Sequence, residues 1–233
     1  MKGNNVSTLI KEAYKKYHKK GNPTRYMSWE YYYGFFYKNK NKFENDDILD
    51  TAALHLAFYL ASWGMYRGSS FLLQYDYKIH KGALKIISEN KYASLQNLYK
   101  PGDFTPAVID TMFDLVESLS KYYEKNCKTK PTDTLITKIL LGTFGCVPAY
   151  DRYVKQCIRK QISENNKSLK ASFNKKQFEH LIAWIDSEDK KSNKSISNLK
   201  LIGNDGKSDF DYPLMKKIDM YFWESTPKKE REY

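Results

Sequence analysis

An aspartate, Asp151, lies at the predicted start of a helix, directly after the turn Gly145-Cys146-Val147-Pro148. The unpaired backbone N–H groups at a helix N-terminus favour the ionised form of a nearby carboxylate. Two basic residues, Arg152 and Lys155, come within about one turn after it. An ionised carboxylate among cations either caps the helix or stabilises positive charge that develops in a reaction, and the residues alone leave both roles open.

Two predicted helices must position this aspartate. The first spans residues 132–144, with Thr132 as a possible N-cap and with apolar residues at helical spacing. Gly145 is expected to end it, and Pro148 suits the first turn of the second helix. The second helix places one apolar stripe, from Tyr150 to Ile162, opposite a cationic face.

Composition restricts the classes of partner and cofactor. The chain has 39 Lys and Arg against 27 Asp and Glu, a formal charge of +12, which indicates a polyanionic partner, most commonly nucleic acid. The three cysteines and four histidines show no spacing typical of a disulfide framework, a zinc site or an iron–sulfur site. We therefore expect a reducing compartment, no metal held by protein ligands and no cofactor. Carboxylates alone could still hold magnesium without any characteristic spacing.

No segment predicts secretion or membrane insertion. An apolar run does not follow Lys2, so the N-terminus lacks the pattern of a signal peptide. The longest apolar stretch, residues 54–66, is too short to span a bilayer. We expect a cytoplasmic monomer with no membrane partner.

Helical periodicity dominates the remaining chain, and no alternating pattern of strand length competes with it. The fold class is therefore predicted to be all-α. The central helix, residues 47–66, is apolar nearly all round and is expected to be buried. Residues 187–209 are polar and rich in Gly, Ser and Asn, which predicts a surface loop, and residues 227–233 form a charged tail. Further helices are predicted at residues 7–20, 78–90, 105–123, 172–186 (capped by Ser172 or Asn174) and from Pro213 onwards.

The order of these parts resembles the helix-hairpin-helix superfamily of DNA glycosylases. The resemblance covers residues 50–160 and is sharpest over residues 144–154, Phe-Gly-Cys-Val-Pro-Ala-Tyr-Asp-Arg-Tyr-Val. In that family a similar segment leads to the aspartate that assists cleavage of the N-glycosidic bond, which implies this role for Asp151. The resemblance also implies a compact two-lobed helical domain, with a core at residues 47–159 and an outer lobe from residues 1–46 and 160–233.

The predicted hairpin before this segment departs from the family pattern. Residues 126–133 contain none of the glycines whose amides hold a DNA phosphate in the family. The lysine of bifunctional members also has no counterpart in register, where Thr134 stands, and Lys138 lies one turn later. Lys130 lies before the helix, and either Lys130 or Lys138 could take the place of that lysine only after a local rearrangement. We therefore expect a monofunctional enzyme or a divergent relative. Contacts to the phosphates of double-stranded DNA would come from Lys128, Lys130, Thr132, Arg152 and Lys155.

The loop after the central helix would face a pocket for an extruded base in this family. Candidates to contact that base, or to fill the gap left in the duplex, are Trp63, Tyr66, Arg67 and Gln74. The same residues are equally consistent with a purely structural role, in which glycines end the central helix and one arginine holds that end in place. His80 is expected to be structural.

Two other classes of function stay open. A helical nucleic-acid-binding module without catalysis needs only the charge and the aromatic residues. A nuclease or toxin-like effector would need clustered carboxylates or a compact Arg-His pair, which the sequence lacks. The sequence does not identify the substrate base.

Overall fold

The computed structural model describes residues 6–19, 24–162, 168–191, 198–202 and 210–226. These residues form no β-strand, only an isolated bridge between Lys200 and Asp211, so the predicted all-α class is confirmed. The helices are α1 (Val6–Tyr17), α2 (Met27–Asn39), α3 (Asp46–Ser62), α4 (Ile79–Ile87), α5 (Pro106–Cys127), α6 (Asp133–Thr143), α7 (Arg152–Cys157, continued by a π-helical turn, Ile158–Ile162), α8 (Lys175–Lys191) and α9 (Leu214–Ser225). Among them, none combines the length and the apolar composition needed to cross a bilayer.

Side-chain caps fix the start of several helices. The Thr132 hydroxyl accepts a hydrogen bond from the Leu135 amide at 3.2 Å, which confirms the predicted cap of α6. Asn174 accepts from the Gln177 amide at 3.0 Å, so it, rather than Ser172, caps α8. These caps satisfy backbone donors that a helix cannot pair internally.

Helix α6 lies at the centre of the fold. Its side chains from Leu135 to Thr143 are buried, and α2, α3 and α5 pack around it. Two ring groups donate hydrogen bonds to its backbone: the Trp29 indole to the Leu141 carbonyl at 2.8 Å and the Tyr59 hydroxyl to the Lys138 carbonyl at 3.2 Å. Helix α6 is therefore a rigid base for the residues that project from its two ends.

The expectation that α3 is buried nearly all round was wrong. Leu54 is 51% exposed and Phe58 is 65% exposed, because α2, α4 and α6 cover the other faces of the helix and leave this one open. The helix also ends at Ser62 rather than at residue 66. Its end is set by Gly64, whose φ of 74° lies in the left-handed region that glycine favours.

The prediction of a surface loop at residues 187–209 was wrong in two places. Helix α8 continues to Lys191, and Leu199 and Leu201 are buried. The backbone amide of Leu201 donates to the Phe210 carbonyl at 2.9 Å, and that of Tyr212 donates to the Leu199 carbonyl at 2.8 Å. The prediction failed here because the polar composition of the whole segment outweighed the two buried leucines, Leu199 and Leu201, at alternate positions. Residues 192–197 and 203–209, and the charged tail at 227–233, lie outside the described residues.

The predicted division into two lobes stays a prediction. Helices α1 and α9, both from the predicted outer segments, pack against each other. Helix α2 belongs to the same predicted lobe, yet it packs against α3 and α6 of the predicted core.

The turn between α6 and α7 should tolerate no side chain at Gly145. Its φ is 63°, and an added Cβ would lie 2.2 Å from Cγ of Pro213. We expect Gly145→Ala to lower the free energy of unfolding by about 2–4 kcal/mol, from left-handed strain and overpacking together. Denaturant titration followed by circular dichroism would measure this change.

Gly34→Ala is the matched control. Gly34 lies inside α2, and a Cβ added there would meet no neighbouring group within 4 Å, so alanine should raise the free energy of unfolding by about 0.5–1 kcal/mol. Equal effects of the two substitutions would contradict the assigned turn geometry.

Candidate active site

Asp151 is the N-cap of α7. Its Oδ1 accepts hydrogen bonds from the amides of Tyr153 at 2.9 Å and Val154 at 3.3 Å. The preceding residue, Tyr150, makes two hydrogen bonds to side chains of α6. The Thr134 hydroxyl donates to the Tyr150 carbonyl, and the Tyr150 amide donates to the Thr137 hydroxyl, each at 2.9 Å. The cap and these two bonds hold the aspartate against α6.

The second carboxylate oxygen of Asp151 lies near Lys138. Their Oδ2 and Nζ atoms are 3.7 Å apart, and both side chains are largely buried. Nζ of Lys138 also donates a hydrogen bond to the Trp63 carbonyl at 2.9 Å, at the point where α3 ends. The structure therefore brings together Asp151, Lys138 and the loop that follows α3.

Burial makes the ionised form of this carboxylate less favourable. It raises the pKa of Asp151 above its usual range, and the nearby charge of Asp219 acts in the same direction. The charge of Lys138 and the two amide hydrogen bonds oppose these effects and lower the pKa in part. Asp151 is therefore a carboxyl group that ionises at a higher pH than an exposed aspartate.

A cleft of about 260 Å³ opens beside this pair. Two of its walls are indoles, those of Trp63 and Trp223, whose ring centroids lie 5.8 Å apart in an edge-to-face arrangement. Its lining contains four cationic side chains and one carboxylate. The residues that line it are Arg25, Trp63, Gly64, Met65, Arg67, Thr134, Lys138, Asp151, Arg152, Tyr153 and Trp223.

Arg25 lies against both indoles. Its guanidinium carbon is 5.4 Å from the ring centroid of Trp63 and 5.4 Å from that of Trp223. These are cation–π distances. The cleft therefore presents aromatic faces and positive charge together, a combination suited to a base attached to its phosphates.

Two of the predicted pocket residues do not line the cleft. The Tyr66 hydroxyl hydrogen-bonds to Nε2 of His80 at 2.7 Å, and Nδ1 of His80 bonds to the Tyr123 hydroxyl at the same distance. Burial lowers the pKa of His80 to about 3, which fits its expected structural role. Gln74 is exposed at the end of a 3₁₀ turn, Phe71–Gln74.

The predicted phosphate-binding residues fall into two groups. Lys128, Lys130 and Thr132 are exposed in the connection between α5 and α6. Lys128 takes the left-handed conformation there, with φ 53°, at a position that often carries glycine. Arg152 lines the cleft, whereas the half-buried Lys155 lies one turn further along α7 and does not.

Sequence reasoning missed Arg25, Trp223 and Asp219. The first lies just after a glycine- and proline-containing break, and the other two belong to α9, whose pattern is that of an ordinary amphipathic helix. No local spacing connects any of them to Asp151, because Asp219 and Trp223 come near it only where α9 packs against α7, and Arg25 lies in the distant segment between α1 and α2.

Across the residues that the structure describes, no group of three or more His, Cys, Asp or Glu residues is placed to hold a metal ion. A scan against protein-family models finds no match for this chain, and searches of curated proteins and of solved structures also return no significant match. Function must therefore be inferred from the chemistry of the site itself.

Asp151→Asn should preserve the cap and stabilise the fold at neutral pH. Asparagine caps a helix about as well as aspartate, and the substitution removes a charge that the folded state disfavours. A raised carboxyl pKa means that the wild-type chain loses stability as the pH rises through it. The variant's excess free energy of unfolding should be largest near pH 7 and vanish below the ordinary carboxyl pKa of about 4.

Thermal or denaturant unfolding of both proteins from pH 3 to pH 8 would measure this difference. Asp47→Asn is the control, since Asp47 is exposed in the first turn of α3. Removing its charge should lower the free energy of unfolding by about 0.3–1 kcal/mol at low ionic strength. A variant at Asp151 that is less stable than wild type, increasingly so towards pH 8, would contradict the environment described for that carboxylate.

Proposed function

We propose that this chain is a DNA N-glycosylase, which flips a damaged or modified base out of the duplex and hydrolyses its N-glycosidic bond. The observation that carries the proposal is the capped, largely buried Asp151 carboxylate, 3.7 Å from the amine of Lys138, in an aromatic and cationic cleft. The resemblance over residues 144–154 supports it, because Asp151 occupies the position of the family's catalytic aspartate.

The reaction needs a negative charge in this place. As the bond between C1′ of the deoxyribose and the base nitrogen lengthens, the bonding electrons leave with the base and positive charge develops on the sugar. An ionised Asp151 stabilises that charge. Water then adds to C1′, and its proton passes to the carboxylate or to the departing base.

Lys138 supports the carboxylate in this scheme. Its hydrogen bond to the Trp63 carbonyl fixes Nζ, and its charge favours the ionised form of Asp151 against the effect of burial. This arrangement fits hydrolysis by water, so the proposed enzyme is monofunctional and has no cofactor.

The cleft supplies the contacts that base flipping requires. The indoles of Trp63 and Trp223 offer stacking surfaces for an extruded base once Arg25 moves aside. Arg25, Arg67 and Arg152 at the cleft would bind the flanking phosphates, and Lys128 and Lys130 would bind the duplex backbone further along. The proposed partner is double-stranded DNA, contacted without sequence preference by a monomer in the cytoplasm.

The direct test is incubation with duplex oligonucleotides that carry uracil, oxidised, alkylated or otherwise modified bases, followed by alkali to reveal abasic sites. We expect wild-type protein to release at least one of these bases. Asp151→Asn should reduce release by about 10²–10⁴-fold, because an amide cannot stabilise the developing positive charge. Its affinity for the same duplex, and the salt dependence of that affinity, should stay close to wild type.

Asp47→Asn is the matched control and should keep wild-type activity. Undiminished base release by Asp151→Asn would refute the proposed mechanism. No release from any duplex, together with salt-sensitive binding by the wild type, would instead favour the non-catalytic nucleic-acid-binding module.

A further inference from the structure

A second buried charge pair lies beneath the candidate site. Nζ of Lys216 is 3.2 Å from Oδ2 of Asp219, both on α9, and the Lys216 side chain is only 4% exposed. This pair borders a small cavity of about 20 Å³, which Asp151 and Lys138 also line. Two carboxylates and two amines therefore line the same small cavity.

Asp219 is connected to Asp151 through the backbone. Its Oδ1 accepts a hydrogen bond from the Ala149 amide at 3.0 Å, and the Asp151 amide donates to the Ala149 carbonyl at 2.8 Å. The peptide groups on both sides of Ala149 thus join α9 to the residue that caps α7. Removing the Asp219 side chain would release the turn on which Asp151 depends.

Lys216 is held where it can neutralise Asp219. Its Nζ lies 5.0 Å from the ring centroid of Trp29 and 5.5 Å from that of Trp63, which also forms a wall of the cleft. A buried ion pair contributes little net stability, because desolvation offsets the attraction between the charges. The location of this pair under Asp151 is therefore better explained by an effect on the site than by stability of the fold.

We propose that Asp219, neutralised in part by Lys216, is a positioning residue for Asp151: it anchors the turn that carries the catalytic carboxylate and places a second negative charge beside it. The inference rests on the proposed glycosylase function only for its catalytic consequence. The electrostatic coupling between the two carboxylates is a property of the fold and can be measured without any substrate.

The groups around Asp151 determine the direction of the expected effects. The charge of Asp219 raises the pKa of Asp151 and that of Lys138 lowers it. Burial raises the pKa of Tyr59, from α3, well above its usual value, so that phenol stays neutral. Among the described residues, the other charged side chains that line the two cavities beside Asp151 are Lys216 of α9, Arg152 of α7, and Arg25 and Arg67 at the cleft.

Asp219→Asn separates charge from anchoring. The asparagine oxygen can still accept from the Ala149 amide, but the negative charge is gone. We expect the pKa of Asp151, followed by ¹³C NMR of the labelled carboxyl carbon, to fall. The acidic limb of base release should move to lower pH, with the rate at the plateau within about twofold of wild type.

Two further variants test the anchoring by Asp219 and the counter-charge of Lys216 separately. Asp219→Ala removes the anchor as well, so the plateau rate should fall by about 10²-fold, the effect of misplacing a catalytic group by about 1 Å. Lys216→Met leaves Asp219 without its counter-charge and should move the pKa of Asp151, and the acidic limb, to higher pH. Melting curves of each variant would show that it is folded at the temperature of the assay.

Lys217→Met is the matched control. Lys217 is the next residue on α9 and is equally buried, but its amine points towards the Tyr99 carbonyl, at 3.5 Å. Its removal should leave the pKa of Asp151 unchanged. An Asp151 pKa that is the same in wild type and Asp219→Asn would overturn the coupling, even if base release is observed. If the pKa of Asp151 shifts in the variants as expected but the protein releases no base, the coupling is supported and only the glycosylase assignment is refuted.

Discussion

A carboxyl group that is largely removed from water is the constraint around which this structure is arranged. Burial alone would protonate Asp151 at a higher pH than an exposed aspartate, and the fold opposes this tendency with two amide donors from α7 and the amine of Lys138. The amide donors belong to the first turn of α7, which Asp151 itself caps, and Lys138 is fixed by the carbonyl of Trp63 where α3 ends. The site therefore forms where the end of α3, the start of α7 and a buried side chain of α6 lie close together.

Aromatic residues form much of the wall of the cleft beside Asp151. The rings of Trp63, Tyr153 and Trp223 pack edge-to-face, with centroid separations of 4.5 Å between Tyr153 and Trp223 and 5.8 Å between the two indoles. Cations occupy the faces left open, including Arg25 from the start of the chain and Lys216 from its last described helix. This combination of positive charge and aromatic rings is the reason for proposing a nucleic-acid partner, whose phosphates would contact the cations and whose base would stack on a ring after Arg25 moves aside.

Local signals allowed the position of Asp151 to be predicted, and non-local packing explains what was missed. The glycine, the proline and the helical stripe around residue 151 lie within a few turns, so the cap of α7 could be predicted from sequence, as could the Thr132 cap of α6. The contact between Lys138 and Trp63 joins residues 75 positions apart, and Asp219 reaches Ala149 across 70 positions. The exposed face of α3 was mispredicted because apolar residues on every side of a helix do not show which neighbours will cover it.

The central claim is that Asp151 stabilises positive charge on a deoxyribose in the cleft. It is tested most directly by comparing two duplexes, one with a cationic pyrrolidine analogue of the abasic sugar and one with the uncharged tetrahydrofuran analogue, neither of which requires the substrate base to be known. Wild-type protein should bind the cationic duplex more tightly by about tenfold or more, equivalent to about 1.4 kcal/mol, and Asp151→Asn should lose that preference. Equal affinities for the two duplexes in the wild type, or a preference that survives in Asp151→Asn, would contradict the assignment.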